Sequence, residues 1–181
     1  MTGALRRAVF LDRDGTLNRA VIRNGKPYPP PTLAELEVFP DAPAALAALK
    51  AAGFLLIVVT NQPDVARGSR SREEIEALNA AVREKLPLDD VFTCYHDDPD
   101  HCGCRKPLPG LLLQAAAKHG IDLGASFMVG DLWRDVEAGR RAGCRTVYLD
   151  RGYGWGGPAR PADHTAESLR EAAAWILGRA R

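Results

Sequence analysis

Residues 7–16 read RAVFLDRDGT: a short apolar run, then Asp12 and Asp14 with a glycine and a threonine behind them. A strand with one face in water would alternate apolar and polar residues, so the near-continuous run at 7–11 fits a strand covered on both faces. The two aspartates then fall at its carboxyl end. Further apolar runs lie at 54–60 (FLLIVVT), 91–95 (VFTCY), 126–130 (SFMVG) and 145–149 (RTVYL). Between them are Ala-rich helical stretches opening at Asp41, Ser71, Pro109 and Trp133, with a last one from Thr165 to the end. Asp41 and Ser71 are good N-cap residues. This alternation predicts an α/β protein, a Rossmann-like parallel sheet with helices on both faces.

Length and composition fit that reading. With 181 residues and 46% apolar content the chain can bury one substantial core, and residues 1–181 are expected to form a single domain. No inserted stretch is long enough for a separate cap domain. The Pro-rich segment 23–40 reads as an irregular flap and 151–163 as a flexible Gly-rich loop, so only loops are expected to cover a ligand. A formal charge of +1 gives no electrostatic reason to expect nucleic acid or an acidic membrane as partner. The apolar runs are too short to span a bilayer, and the N-terminus lacks the apolar region of a signal peptide. A cytoplasmic monomer is expected.

The stretch CYHDDPDHCGC, residues 94–104, crowds three of the four cysteines beside Arg105 and Lys106. In a reducing compartment such a cluster more often binds metal than forms disulfides. Cys94 and His96, followed by Cys102 and Cys104, form two close pairs of the ligands that tetrahedral zinc takes, and four protein ligands make the site structural. His101 competes with His96, but its place next to Cys102 gives poorer loop geometry. The bland reading is a polar loop with incidental cysteines. Cys144 reads as a buried core thiol.

The remaining polar residues gather at strand ends: Asp12, Asp14 and Thr16 after the first, Thr60, Asn61 and Gln62 on the second, and Asp131 after the fourth, with Asp135 one helical turn later. In an open parallel sheet these ends border one crevice. Any single acidic pair could be an ordinary turn or helix cap. Several carboxylates converging there repel one another unless a cation lies between them, and magnesium suits carboxylates and water.

The pieces FLDRDGT, VVTNQ, RKP and MVGDLWRD, in this order and at strand ends, resemble the four motifs of the haloacid dehalogenase-like phosphatases. The cysteine loop just before Arg-Lys-Pro is similar to the zinc loop of the branch that holds the D-glycero-D-manno-heptose 1,7-bisphosphate and histidinol-phosphate phosphatases. The resemblance implies a magnesium-dependent phosphoric monoester hydrolase acting on a small phosphorylated metabolite. Asp12 would be the nucleophile that forms an aspartyl-phosphate, and Asp14 the proton donor and acceptor. Magnesium would bind the Asp12 carboxylate, the Asp14 main-chain carbonyl and Asp131. Thr60 and Lys106 would hold the phosphoryl oxygens, and Asp135 would act one shell out, on magnesium-bound water or on Lys106. Asn61, Arg105 and Arg67 are the candidate substrate contacts, although Arg67 reads equally as a solvated loop residue. Tyr153 and Trp155 would cover the crevice or ride a mobile loop.

Two stretches depart from the heptose pattern: Leu132 stands where that group usually carries a lysine, and the flap at 19–31 lacks its His-Gly-Tyr. A sugar bisphosphate, losing its 7-phosphate, is the expected substrate. Histidinol phosphate is the nearer alternative and a polynucleotide 3′-phosphate a more distant one. A zinc-stabilised binding protein without turnover is the alternative of a different class.

Overall fold

The structure, a computed structural model, describes residues 5–154 and 156–179. Strand β1 (Ala8–Leu11) is buried throughout, and its side chains divide between two apolar clusters. Val9 and Leu11 face one, Ala8 and Phe10 the other. With both faces in a core, no position of the strand has to be polar, which is why the sequence runs apolar without alternation.

A hairpin of β2 (Val21–Arg23) and β3 (Lys26–Tyr28) follows, then α1 (Ala42–Ala51), β4 (Leu55–Asn61), α2 (Arg72–Lys85) and β5 (Asp90–Cys94). The second half comprises α3 (Gly110–His119), β6 (Phe127–Gly130), α4 (Trp133–Ala142), β7 (Arg145–Leu149), β8 (His164–Ala166) and α5 (Leu169–Arg179). Six strands pair in parallel in the order β5-β4-β1-β6-β7-β8. Leu46 and Leu49 of α1 and Leu169 and Ile176 of α5 join the Val9 face. Leu111 and Leu112 of α3 and Ala138 and Ala142 of α4 join the Phe10 face. From β1 the chain winds outward through β4 and β5, then returns to place β6 on the other side of β1. The strand order therefore reverses beside β1, and the crevice opens at its carboxyl end.

The α/β architecture is as expected, with three local differences. The last helix begins at Leu169, because 164–166 form an edge strand in register with Val147–Leu149. Residues 23–40 are not wholly irregular: Asn24 and Gly25, at φ 51° and 75°, turn the β2–β3 hairpin, the backbone that an Asn-Gly pair favours. The Asp41 carboxylate does not cap α1 but accepts from the Arg170 backbone N–H at 3.0 Å, joining α1 to α5. Trp155 lies outside the described residues. Ser71 does cap α2, its hydroxyl accepting from Glu74 N–H while the Glu74 carboxylate accepts from Ser71 N–H, a box contributing about 1 kcal/mol. Among the described residues no helix is long and apolar enough to cross a membrane.

Candidate active site

Asp12 leaves β1 with its N–H bonded to Val129 O of β6 at 3.0 Å, which fixes it between the two central strands. Lys106, from the loop after β5, is 2% exposed and reaches under it. Its ammonium donates to Asp12 Oδ1, Asp135 Oδ1 and Val59 O, each at 2.7 Å, so all of its donor capacity is used. Burial works against the charged lysine, but the Asp12 and Asp135 carboxylates outweigh it and raise its pKa. Asp12 moves up as well, to about 7, because burial and the nearby acids exceed what Lys106 gives back.

Asp131, at the end of β6, is fully buried, and among the described residues neither of its carboxylate oxygens has a partner in regular hydrogen-bond geometry. Burial first, then the Asp12 and Asp135 charges, hold its pKa well above the usual carboxylate range. Oxygens of Asp12, Asp131 and Asp135 lie within 4.8 Å of one another. Those of Asp135 are committed to Lys106 and to the Leu132 N–H, the latter at 3.0 Å. Unpaired buried carboxylate oxygens beside a second acid fit a hard divalent cation, since burying such a charge alone costs several kcal/mol. The approach is tight: a Cβ on Gly15, at φ 86°, would lie 2.0 Å from Asp131 Oδ2 and 2.8 Å from the Tyr153 hydroxyl. Tyr153 thus stands over the Asp131 end, where burial and the Asp131 charge raise its hydroxyl pKa.

Asp14 is not one of these three acids and makes its own set of bonds. Its oxygens accept from Arg13 at 3.2 and 2.8 Å, from Asn18 at 3.0 Å and from Gln62 at 2.9 Å. Burial raises its pKa, but the Arg13 guanidinium and these donors win, leaving it below the ordinary carboxylate value. Gln62 also donates to the Thr60 hydroxyl at 2.9 Å, so Thr60 and Asp14 share one amide. Asn61 turns to the loop: its amide donates to Lys106 O and accepts from Lys106 N–H, both at 3.0 Å. It lines the crevice, but its amide is committed to the loop backbone.

The Cys94, His96, Cys102 and Cys104 ligand atoms form a second cluster. Sulfur–sulfur separations run from 3.1 to 3.7 Å, and His96 Nδ1 is 3.6 Å from Cys94 and 3.4 Å from Cys104. A disulfide needs about 2.05 Å, and the cysteines are free. Ligands about 2.0–2.3 Å from a central zinc sit at tetrahedral edges of about 3.3–3.8 Å, close to the spacing found. His96 rather than His101 belongs to the set; His101 sits at a left-handed φ of 48° outside it. Cys144 is buried in the Phe10 cluster.

The crevice, of about 320 Å³, is lined by Asp12 and Lys106 and also by a group of arginines and their acidic partners. There Arg67 forks onto Asp97 at 2.6 and 2.9 Å, Arg105 donates to Asp98 at 2.7 Å, and Arg134 reaches Asp98 at 3.2 Å. Lys26 and Tyr28 of the hairpin also line it. Sequence reasoning missed Arg134, Lys26 and the buried Arg13, whose guanidinium also donates to Asn79 at 2.7 Å, and placed Gln62 at the crevice without a role. The Asn-Gly turn could have revealed the hairpin; nothing in the sequence separates Arg134 from the other helix charges.

The description "haloacid dehalogenase-like hydrolase" matches residues 31–143. The chain belongs to this family, and its class is that of the phosphoric monoester hydrolases. Within the family it is similar to one set of enzymes in particular. The D-glycero-beta-D-manno-heptose-1,7-bisphosphate 7-phosphatase of Pasteurella multocida is 36% identical over 156 residues, covering 80% of this chain and 82% of that protein. The Escherichia coli enzyme of the same name is 34% identical over 182 residues, covering 94% and 87%. The crystal structure of D,D-heptose 1,7-bisphosphate phosphatase from B. bronchiseptica, complexed with magnesium and phosphate, has a TM-score of 0.82 at 28% identity. It covers 96% of this chain and 99% of that one.

Proposed function

We propose that this chain is a magnesium-dependent phosphatase of a small sugar bisphosphate, of the D-glycero-D-manno-heptose 1,7-bisphosphate kind, removing the 7-phosphate through an aspartyl-phosphate on Asp12. The observation that carries this reading is a single crevice lined both by Asp12 and Lys106 and by the guanidinium groups of Arg67 and Arg105. A substrate with a second phosphate matches it, and the names of the relatives support the same substrate class.

Asp12, Asp131 and the Asp14 main-chain carbonyl would hold magnesium, which when bound supplies positive charge where an anionic nucleophile meets an anionic phosphate. An Asp12 oxygen bonds to phosphorus as the bond to the sugar oxygen breaks. The Thr60 hydroxyl holds the phosphoryl oxygens during that transfer, joined by Lys106 as its ammonium turns from Asp12, now bonded to phosphorus, to the phosphoryl group. Asp14 gives a proton to the departing alkoxide, then takes one from the water that attacks phosphorus and frees Asp12. Arg13, Asn18 and Gln62 hold Asp14 as a carboxylate. A dianionic phosphoryl group arriving beside it raises its proton affinity, the condition for acting as an acid. Cys94, His96, Cys102 and Cys104 would hold a structural zinc that stiffens the loop carrying Arg105 and Lys106.

The test is phosphate release with magnesium from the heptose bisphosphate, histidinol phosphate and an aryl phosphate. Asp12→Asn should lower kcat by several orders of magnitude, and a variant retaining a sizeable rate would rule out the covalent route. Arg105→Ala should lower the ratio of bisphosphate to aryl phosphate kcat/KM by roughly ten- to a hundredfold. A wild-type preference for histidinol phosphate would overturn the substrate. No hydrolysis at all would favour the zinc-stabilised binding protein.

A further inference from the structure

Arg134 precedes Asp135 in the first turn of α4, and its guanidinium lies over the Lys106 loop. It is 3.2 and 3.4 Å from the two Asp98 oxygens and 3.4 Å from Lys106 O. These are long for charge-assisted bonds, which settle near 2.7–2.9 Å. Arg105 holds the same carboxylate at 2.7 Å, so Asp98 bridges two guanidinium groups. All three residues line the crevice that contains Asp12 and Lys106.

Exposure separates the members of this bridge. The Arg105 side chain is 11% exposed and that of Arg134 27%, whereas that of Asp98 is 58% exposed. The cations are set into the wall, and the carboxylate joining them hangs toward solvent. Arg105 keeps Asp97 Oδ1 and His96 O, each at 3.3 Å, if Asp98 leaves. Leu132, at the start of the same helix, gives that wall no charge, so Arg134 is the cation α4 contributes.

We propose, building on the sugar-bisphosphate reading, that Asp98 is an internal stand-in for the second phosphate of the substrate, and that Arg134 and Arg105 together bind that phosphate once Asp98 swings outward. A phosphate dianion brings more charge and more acceptor oxygens than a carboxylate and fits two guanidinium forks. It displaces a mostly solvated competitor. A monoester without a distal anion leaves the Asp98 bridge closed, so the competing carboxylate sharpens the choice between substrates.

The experiment compares kcat/KM for the heptose bisphosphate and an aryl phosphate in wild type, Arg134→Ala and Asp98→Asn, with zinc content checked in each. For Arg134→Ala the ratio of the two values should fall roughly ten- to a hundredfold, chiefly through the bisphosphate KM. Asp98→Asn should move the bisphosphate KM the opposite way, lowering it several-fold at little change in kcat. A bisphosphate KM that rises in Asp98→Asn with zinc retained, or a ratio that Arg134→Ala leaves unchanged, would overturn the inference while the bisphosphatase reading stands. A wild-type enzyme that does not prefer the bisphosphate would overturn both.

Discussion

The Lys106 ammonium donates to Asp12 Oδ1 at 2.7 Å across 94 residues of sequence, and the same nitrogen holds Asp135 at 2.7 Å. One cation thus compensates the acid proposed to attack phosphorus and the acid that steadies the floor below it.

Lys106→Met leaves Asp12 and Asp135 buried without their partner. Breaking a buried pair costs about 3–5 kcal/mol, so in chelator the variant should melt some ten degrees lower, at about 2–4 °C per kcal/mol for a chain of this size. Adding Asp135→Asn should restore part of that stability and none of the rate. Thermal melts and kcat on the same preparations check both outcomes, and recovered turnover in the double variant would count against a role for Lys106 at the phosphoryl group.

Asp131→Asn should have opposite effects with and without metal. Its carboxylate is buried, and among the described residues neither oxygen has a partner in regular hydrogen-bond geometry, so a neutral amide removes charge repulsion and the metal-free protein should melt at the same temperature or higher. Saturating magnesium should stabilise wild type by about 2.7 kcal/mol at a hundredfold excess over Kd. The variant should show no such shift. An equal shift in both proteins would move the metal elsewhere.

One zinc per chain is expected in protein purified without chelator, and Cys102→Ser should lose it. The ligand distances of 3.1 to 3.7 Å leave no covalent bridge to hold the loop once metal is gone. Activity should fall with zinc content and return on adding zinc back to wild type. Full activity in zinc-free protein would show that Arg105 and Lys106 need no such support.

Acid should release one structural tie outside the crevice. Asp90 accepts from Lys118 and His119, each at 2.7 Å, fastening β5 to the end of α3. Burial raises its pKa, but these donors lower it more, to below the ordinary 3.8. A depressed folded-state pKa stabilises above the ordinary value and loses that contribution as pH falls through the lowered one. Wild type should therefore melt a few degrees above Asp90→Asn near about pH 7, and the gap should close toward about pH 3. A gap independent of pH would mean that the charge contributes nothing.

Residues that end apolar runs were the legible ones. Asp12 and Asp131 follow buried strands and Thr60 lies near the end of one, so their place at one edge of the sheet could be read from the chain alone. Strand β8 could not: of His164, Thr165 and Ala166 only the last is buried, and a three-residue edge strand carries almost no periodicity. Arg13 sits between two crevice aspartates in sequence yet is fully buried, because Asn79 of α2 offers it an acceptor inside. The arginine lining of the crevice depends on loops and a helix start meeting in space, as Arg134 and Asp98 do 36 residues apart.

Asn61 ends β4, and its side chain grips Lys106 at both N–H and C=O. The loop backbone is thereby paired as a neighbouring strand would be, through an amide that mimics one. Its opening belongs to the same cooperative unit as the sheet edge, so the Lys106 amide should exchange its proton with solvent at the pace of β4 rather than of a surface turn. The lysine backbone is thereby kept aligned between catalytic cycles in addition to the hold that Asp12 and Asp135 have on its ammonium.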